Sequence, residues 1–177
     1  MGVRDPPRPS DDWGDGGTIG VDHQWLVRGD RGIGATVMGR TMFGPVRGPR
    51  PDDSWRGWWG KEPPYHHPVF VLTHHDRVPL AIGETTFHFL TDGLESALSQ
   101  ATAAADGLDV RVGGGVSTVA AALRGGLVDD IHLAVVPVLH RGGERLYDDI
   151  GAWPDAFLLA QSAAGEGAQR LYFTRTP

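Results

Sequence analysis

The 177-residue chain contains no cysteine. Disulfides, thiolate metal sites and cysteine nucleophiles are thereby excluded. It also lacks any apolar run approaching the roughly 20 residues that a membrane-spanning helix needs. The opening Met1-Gly2-Val3-Arg4-Asp5-Pro6-Pro7 has no apolar core of the kind a signal peptide carries. A cytoplasmic location with no membrane partner is therefore expected. Positive charge is in short supply: 16 Lys and Arg stand against 22 Asp and Glu, a net charge of −6. That balance argues against a general nucleic-acid binder, which needs a basic face. Common catalytic signatures are missing too, including the Gly-x-Ser-x-Gly elbow of serine hydrolases.

What is present is a chain of one-domain length with ordinary apolar and charged fractions, 40% and 21%. Its 26 Gly and 13 Pro predict many turns. Residues 1–32 read as an N-terminal arm, irregular to about Gly20, with Trp25-Leu26-Val27 as a short apolar anchor of one helical turn. Residues 33–177 read as the main domain. Ala35 to Met38 is a buried strand ended by Gly39, and Arg40 to Phe43 opens a short helix that Gly44-Pro45 stops. Between Pro45 and Pro68 lie six Pro, three Gly and three Trp (Trp55, Trp58, Trp59) with almost no periodicity. The plain reading of this segment is an Ω-loop plugged onto the core by its Trp residues, the functional one a substrate-side lid, and a mixture of the two is expected.

Val69 to Thr73 is an apolar strand, and Thr85 to Leu90 is another. Asp92 with Glu95 forms a capping-box pattern before a helix with Leu94, Ala97, Leu98 and Ala101 at helical spacing. Gly107 ends it. Val110-Arg111-Val112 is the next strand, followed by Gly113-Gly114-Gly115 and a helix with Val116, Val119, Ala120 and Leu123 on one face, stopped by Gly125-Gly126. Ile131 to Leu139 reads as a strand, His140 to Gly143 as a turn, and Phe157 to Ser162 with Arg170 to Thr174 as a closing hairpin. Strands alternating with helices imply a largely parallel sheet covered on both faces, with antiparallel strands at the end.

Three strand ends can carry chemistry. The passage from Gly113 through Gly114, Gly115, Val116, Ser117 and Thr118 lets backbone approach an anion closely, and the new helix offers unpaired N–H groups at its positive end. It is not the Rossmann fingerprint, because the glycine spacing differs, and no Gly-Lys-Ser/Thr follows to make a P-loop. At Met38-Gly39-Arg40-Thr41 a guanidinium can grip a phosphate in bidentate fashion beside a hydroxyl donor. Thr73, His74 and His75 close the third strand with a hydroxyl and two imidazoles. The pairs His66-His67 and His74-His75 predict no metal site, since adjacent residues rarely share one ion and no carboxylate stands at ligand spacing.

In this order the pieces resemble the dihydrofolate reductase fold, and above all the RibD C-terminal domain family, which includes the reductase half of the riboflavin-biosynthesis deaminase–reductase. The likeness rests on Val37 to Phe43, Phe70 to Thr73, Val112 to Gly115, Gly126 to Leu133 and Val136 to Leu139. It implies a mixed central sheet with flanking helices and a C-terminal antiparallel hairpin. It implies NADPH as cofactor, with Met38, Gly39, Arg40 and Thr41 on the 2′-phosphate side. Thr73 and His74 would then approach the adenosine, and Gly113 to Thr118 the pyrophosphate. The implied reaction is hydride transfer to a pteridine-like, aminopyrimidine-like or other small carbonyl or imine substrate, as in 5-amino-6-(5-phosphoribosylamino)uracil reductase. Asp22, His23 and His88 are the side chains weighed as proton donors, and none is assigned.

The alternative is a non-catalytic nucleotide-binding or regulatory relative that keeps only the phosphate sites. A homodimer is a candidate assembly for this fold. Family members begin with an apolar strand and a Ser-Leu-Asp-Gly-like turn, and no such segment precedes Asp11-Asp12-Trp13-Gly14. The expectation is that the chain as given starts downstream of its natural start, leaving the sheet short of a central strand.

Overall fold

The computed structural model describes residues 20–45, 54–139, 142–147 and 153–176. The arm before Gly20, the Asp11 to Gly14 segment, part of the Pro-rich stretch (46–53) and His140-Arg141 of the predicted turn lie outside them. The chain forms two compact units, Gly32–Ala121 and Met1–Arg31 with Ala122–Pro177.

The first unit holds a five-stranded mixed sheet. Its strands are β1 (Ile33–Gly39), β2 (Val69–Leu72), β3 (Leu80–Ile82), β4 (Thr85–Leu90) and β5 (Asp109–Val112), in the order β3-β4-β2-β1-β5. Within it β4, β2, β1 and β5 run parallel, while β3 is antiparallel to β4. Alternation along each strand divides the core between two faces. Ala35, Val37 and Phe70 pack with Ala97, Ala101 and Ala105 of helix α3 (Leu94–Ala104) and the turn after it. On the opposite face Met38, Val69, Val71, Ile82, Phe87 and Phe89 gather around Phe43 of the short helix α2 (Arg40–Phe43).

That second face is finished by the Pro/Trp-rich segment. Trp59 stacks on Phe87 with ring centroids 5.6 Å apart and planes 12° from parallel. Trp55 donates its indole N–H to the Phe43 carbonyl at 2.9 Å. Arg77, buried beneath, donates to the Trp55 carbonyl and lies over the Phe43 and Phe89 rings. The described part of the segment thus packs on the core.

Helix α3 is entered differently from the capping-box expectation. Gly93 is its N-cap at φ +90°, with no side-chain cap bond, and the Asp92 carboxylate instead accepts from the Thr91 hydroxyl at 3.3 Å. A glycine admits this positive φ, which carries the chain into the helix past Asp92 rather than from it. Helix α4 (Val116–Arg124) begins after the glycine run, and its last turn closes on Gly126 at φ +65°.

The second unit contains helix α1 (Val21–Asp30) and a three-stranded antiparallel sheet. The strands are β6 (Asp130–Val135), β7 (Phe157–Ala164) and β8 (Gln169–Arg175), in the order β6-β8-β7. Helix α1 covers ten residues, well beyond the single turn expected around Trp25. Long-range bonds hold it: the Glu166 carboxylate accepts from the Val21 and Asp22 amides at 3.0 and 3.1 Å. The Asp22 carboxylate in turn accepts from Arg170 Nε and the Gly167 amide, both at 2.6 Å. Strand β6 stops at Val135, four residues before the predicted Leu139. Pro137 has no N–H for a ladder, and Val138 donates back to the Val136 carbonyl at 2.9 Å.

Candidate functional site

Because β4, β2, β1 and β5 are parallel, their C-terminal ends share one edge of the sheet. Ligands of open α/β sheets bind at that edge, where loops and helix starts converge. Here it carries Gly39-Arg40-Thr41 after β1, Thr73-His74 after β2 and Gly113 to Thr118 after β5. The Thr91-Asp92-Gly93 turn after β4 joins the same edge, and the sequence reading passed over it as a helix start.

The first and third of these junctions touch. The Gly39 amide donates to the Gly114 carbonyl at 2.7 Å, and the Gly113 amide to the Val37 carbonyl at 2.8 Å. Two glycines are demanded by this approach. A Cβ on Gly39 would stand 2.7 Å from the Thr118 hydroxyl oxygen. Gly114 sits at φ +119°, with the Met42 sulfur 3.2 Å from where its Cβ would be. The peptide bond between Gly114 and Gly115 is cis. In the first turn of α4 the Thr118 and Val119 amides both donate to the Gly115 carbonyl at 3.1 Å. The amides of Val116 and Ser117 precede the intrahelical ladder, so the positive end of the helix opens at the glycine run.

Arg40 stands out electrostatically. Its side chain is half-buried, and its Nε and Nη2 are shut off from solvent with no hydrogen-bond partner among the described residues. Buried guanidinium nitrogens without an acceptor are costly, and an anion seated there would satisfy two of them at once. Thr41 is exposed beside it, its hydroxyl 3.6 Å from the position a Cβ on Gly115 would take. Together these atoms are of the kind that could hold an anion.

The other sequence-selected residues fare unequally. The Met38 side chain is buried in the core, so only its backbone reaches the edge. Ser117 is exposed, Val116 half-buried and Thr118 buried. The Thr73 hydroxyl is spent on its own turn, accepting from the His75 amide at 3.1 Å, while His74 is exposed. The adjacent His66 and His67 diverge: Nδ1 of His66 meets Glu84 at 3.2 Å, and Nε2 of His67 meets the buried Thr36 hydroxyl at 2.8 Å. Among the described residues no three His, Cys, Asp or Glu side chains gather to hold a metal.

Asp22 lies in the second unit, and Arg170 with the Gly167 amide holds its carboxyl below the usual carboxylate range. His23 is also in that unit, on α1. His88 sits mid-strand, stacked on Phe70 with centroids 5.1 Å apart, and burial pushes its imidazole pKa down.

Comparison with known proteins completes the description. A family model for the RibD C-terminal domain matches residues 4–155. No curated protein matches the chain. Among solved structures, a protein ascribed to riboflavin biosynthesis from Shewanella sp. PV-4 superposes with a TM-score of 0.60 at 20% identity, covering 97% of this chain and 84% of that one. A pyrimidine reductase-like protein from Corynebacterium diphtheriae gives 0.52 at 17% identity, over 88% and 81%. The diaminohydroxyphosphoribosylaminopyrimidine deaminase/5-amino-6-(5-phosphoribosylamino)uracil reductase of Thermotoga maritima gives 0.54 at 14% identity, over 96% and 53%. The chain spans about half the length of this last protein, and at these identities the likeness is one of fold.

Proposed function

The chain belongs to the RibD C-terminal domain family, and from that premise we propose that it is an NADPH-dependent reductase of small heterocyclic substrates, of the pteridine or aminopyrimidine kind. The observation that carries the cofactor reading is the pair of acceptor-less buried nitrogens of Arg40 beside the glycine cradle. In this reading Arg40 and Thr41 hold the 2′-phosphate, and the backbone of Gly113, Gly114 and Gly115 with the Val116 and Ser117 amides holds the pyrophosphate. Thr73 and His74 flank the adenosine. When bound, NADPH supplies a hydride to a carbonyl or imine carbon. The protein's own share is orientation, since fixing the dinucleotide by its phosphates sets where its reactive ring can lie. The proposal includes a cytoplasmic setting, a small-molecule substrate and a homodimeric assembly, with no nucleic-acid or membrane partner. No helix among the described residues is long and apolar enough to cross a membrane.

A second reading, a nucleotide-binding relative without turnover, is favoured by one observation: His88 is stacked on Phe70 in mid-strand rather than offered at a strand end. Titration with NADPH and NADH, followed by the Trp fluorescence and by calorimetry, tests both. Arg40→Ala should weaken NADPH about 10- to 100-fold, the worth of one or two charge-assisted hydrogen bonds, and leave NADH almost untouched. Equal losses would remove Arg40 from the 2′-phosphate. Failure of the wild type to bind either dinucleotide would end both readings. NADPH binding without oxidation across pteridine and aminopyrimidine substrates would select the second.

A further inference from the structure

Four strand ends share one edge of the first unit's sheet, and the proposed function draws on three of them. The fourth, at β4, is aligned with the others by register: Gly39 pairs with Leu72, and Leu72 with Leu90. Beyond the strands the Thr73 amide donates to the Leu90 carbonyl at 2.9 Å, which ties the β2 and β4 ends together. In the sheet order β4-β2-β1-β5 the edge therefore presents Thr91-Asp92, Thr73-His74, Arg40-Thr41 and the glycine run side by side. Neighbouring strands lie about 4.8 Å apart, so the β4 and β1 ends are separated by on the order of 10 Å.

Asp92 is the one carboxylate among these residues. Its place in the sequence suits a helix cap, yet Gly93 is the N-cap of α3 and no side chain bonds to the helix start. The Asp92 side chain is exposed, and its Oδ1 accepts from the Thr91 hydroxyl at 3.3 Å. An ionised carboxylate accepts and does not donate, so what it can recognise on a ligand is an N–H or an O–H.

We propose that Asp92 selects the base of the dinucleotide by accepting from the 6-amino group of adenine, an inference that rests on the NADPH reading. The parts of the dinucleotide follow in a fixed covalent order: pyrophosphate, ribose with its 2′-phosphate, base. With the pyrophosphate at the β5 end and the 2′-phosphate at the β1 end, the base is carried across β2 toward β4. Adenine brings an amino donor to that side. Hypoxanthine has a carbonyl oxygen in the same place, which a carboxylate repels. The fourth strand end thus supplies what phosphate contacts lack, a choice between bases.

The test is calorimetric titration of the full chain with NADPH and with its hypoxanthine analogue, for wild type, Asp92→Asn and Asp92→Ala. Asp92 is exposed and caps nothing, so the variants should melt as wild type does. The wild type should bind NADPH about 10-fold more tightly than the analogue, the worth of one hydrogen bond to a charged group. An asparagine amide both donates and accepts, so Asp92→Asn should bring the two affinities within about 3-fold of each other. Asp92→Ala should lose about 10-fold toward NADPH and nothing toward the analogue. A wild type that binds both dinucleotides equally overturns the role of Asp92 and leaves the NADPH reading standing, as do variants that keep the wild-type ratio. A wild type that binds neither overturns both.

Discussion

Replacing Gly39 with alanine adds one methyl group where β1 passes into α2, and its consequences can be worked from the surrounding atoms. Gly39 has φ −73° and ψ 153°, a conformation open to any residue, so the substitution introduces no backbone strain. The cost is contact alone. The new carbon would stand 2.7 Å from the Thr118 hydroxyl oxygen and 3.5 Å from the Gly115 amide nitrogen. Thr118 is buried at the start of a helix and has little room to yield. The two junctions must therefore part by several tenths of an ångström, stretching the bond from the Gly39 amide to the Gly114 carbonyl. Overpacking of this kind costs about 1–3 kcal/mol, or roughly 3–9 °C of melting temperature for a chain of this size. Removing the offending oxygen should reverse most of it. Gly39→Ala combined with Thr118→Ala should be less destabilised than the sum of the two singles by about 1–2 kcal/mol, read from urea unfolding of the four proteins. On the proposed function dinucleotide affinity should follow the same pattern, because both junctions belong to the proposed cradle. Additive effects, or a Gly39→Ala protein as stable as wild type, would refute the claim that these two strand ends touch.

Two pH effects follow from the ionisable groups. The native Asp22 carboxyl titrates below its unfolded value because Arg170 and the Gly167 amide favour the charged form. Its contribution is therefore full above the unfolded pKa of roughly 4 and is lost as pH falls through the lower native value. Asp22→Asn should flatten part of the acid limb in urea midpoints measured between pH 2 and 6; an unchanged limb would count against the bond to Arg170. His88 has its pKa lowered by burial, so the folded state disfavours its charged form. Stability should fall as pH drops below the unfolded value of roughly 6.5 toward the native one. His88→Phe keeps the stacking partner for Phe70 and removes the proton, so it should match wild type near pH 8 and exceed it near pH 5, as measured by thermal melts.

Much of the first unit was legible because its signals are local. Val69 to Leu72 and Thr85 to Leu90 are dense in β-branched and aromatic residues, and strands buried on at least one face need little else to declare themselves. The junctions at Gly39 and Gly113 were legible for a related reason: glycine beside a strand end marks backbone approach wherever it occurs. The short strand β3 was not, since Leu80, Ala81 and Ile82 become a strand only by pairing with Phe87, Thr86 and Thr85. Asp92 misled, because a capping pattern gives the side chains a choice that the positive φ of Gly93 settled another way. The Trp-rich segment was expected to combine a plug with a lid, and the stacking of Trp59 on Phe87 supplies the plug in its described part.

The sequence by itself determined where glycines, Arg40, Thr41 and a helix start lie side by side, the residue types on which the phosphate proposal rests, because these are adjacent along the chain. Only the tertiary structure decided which ends meet. It brought Gly39 against Gly114 across some 75 residues of chain and shut Nε and Nη2 of Arg40 away from water without an acceptor among the described residues. It also fastened α1 to a turn more than 140 residues away through Asp22 and Glu166. The physical reason is range. Propensity and turn chemistry act over a few residues, whereas burial, orphaned polar atoms and strand pairing depend on partners that folding alone selects.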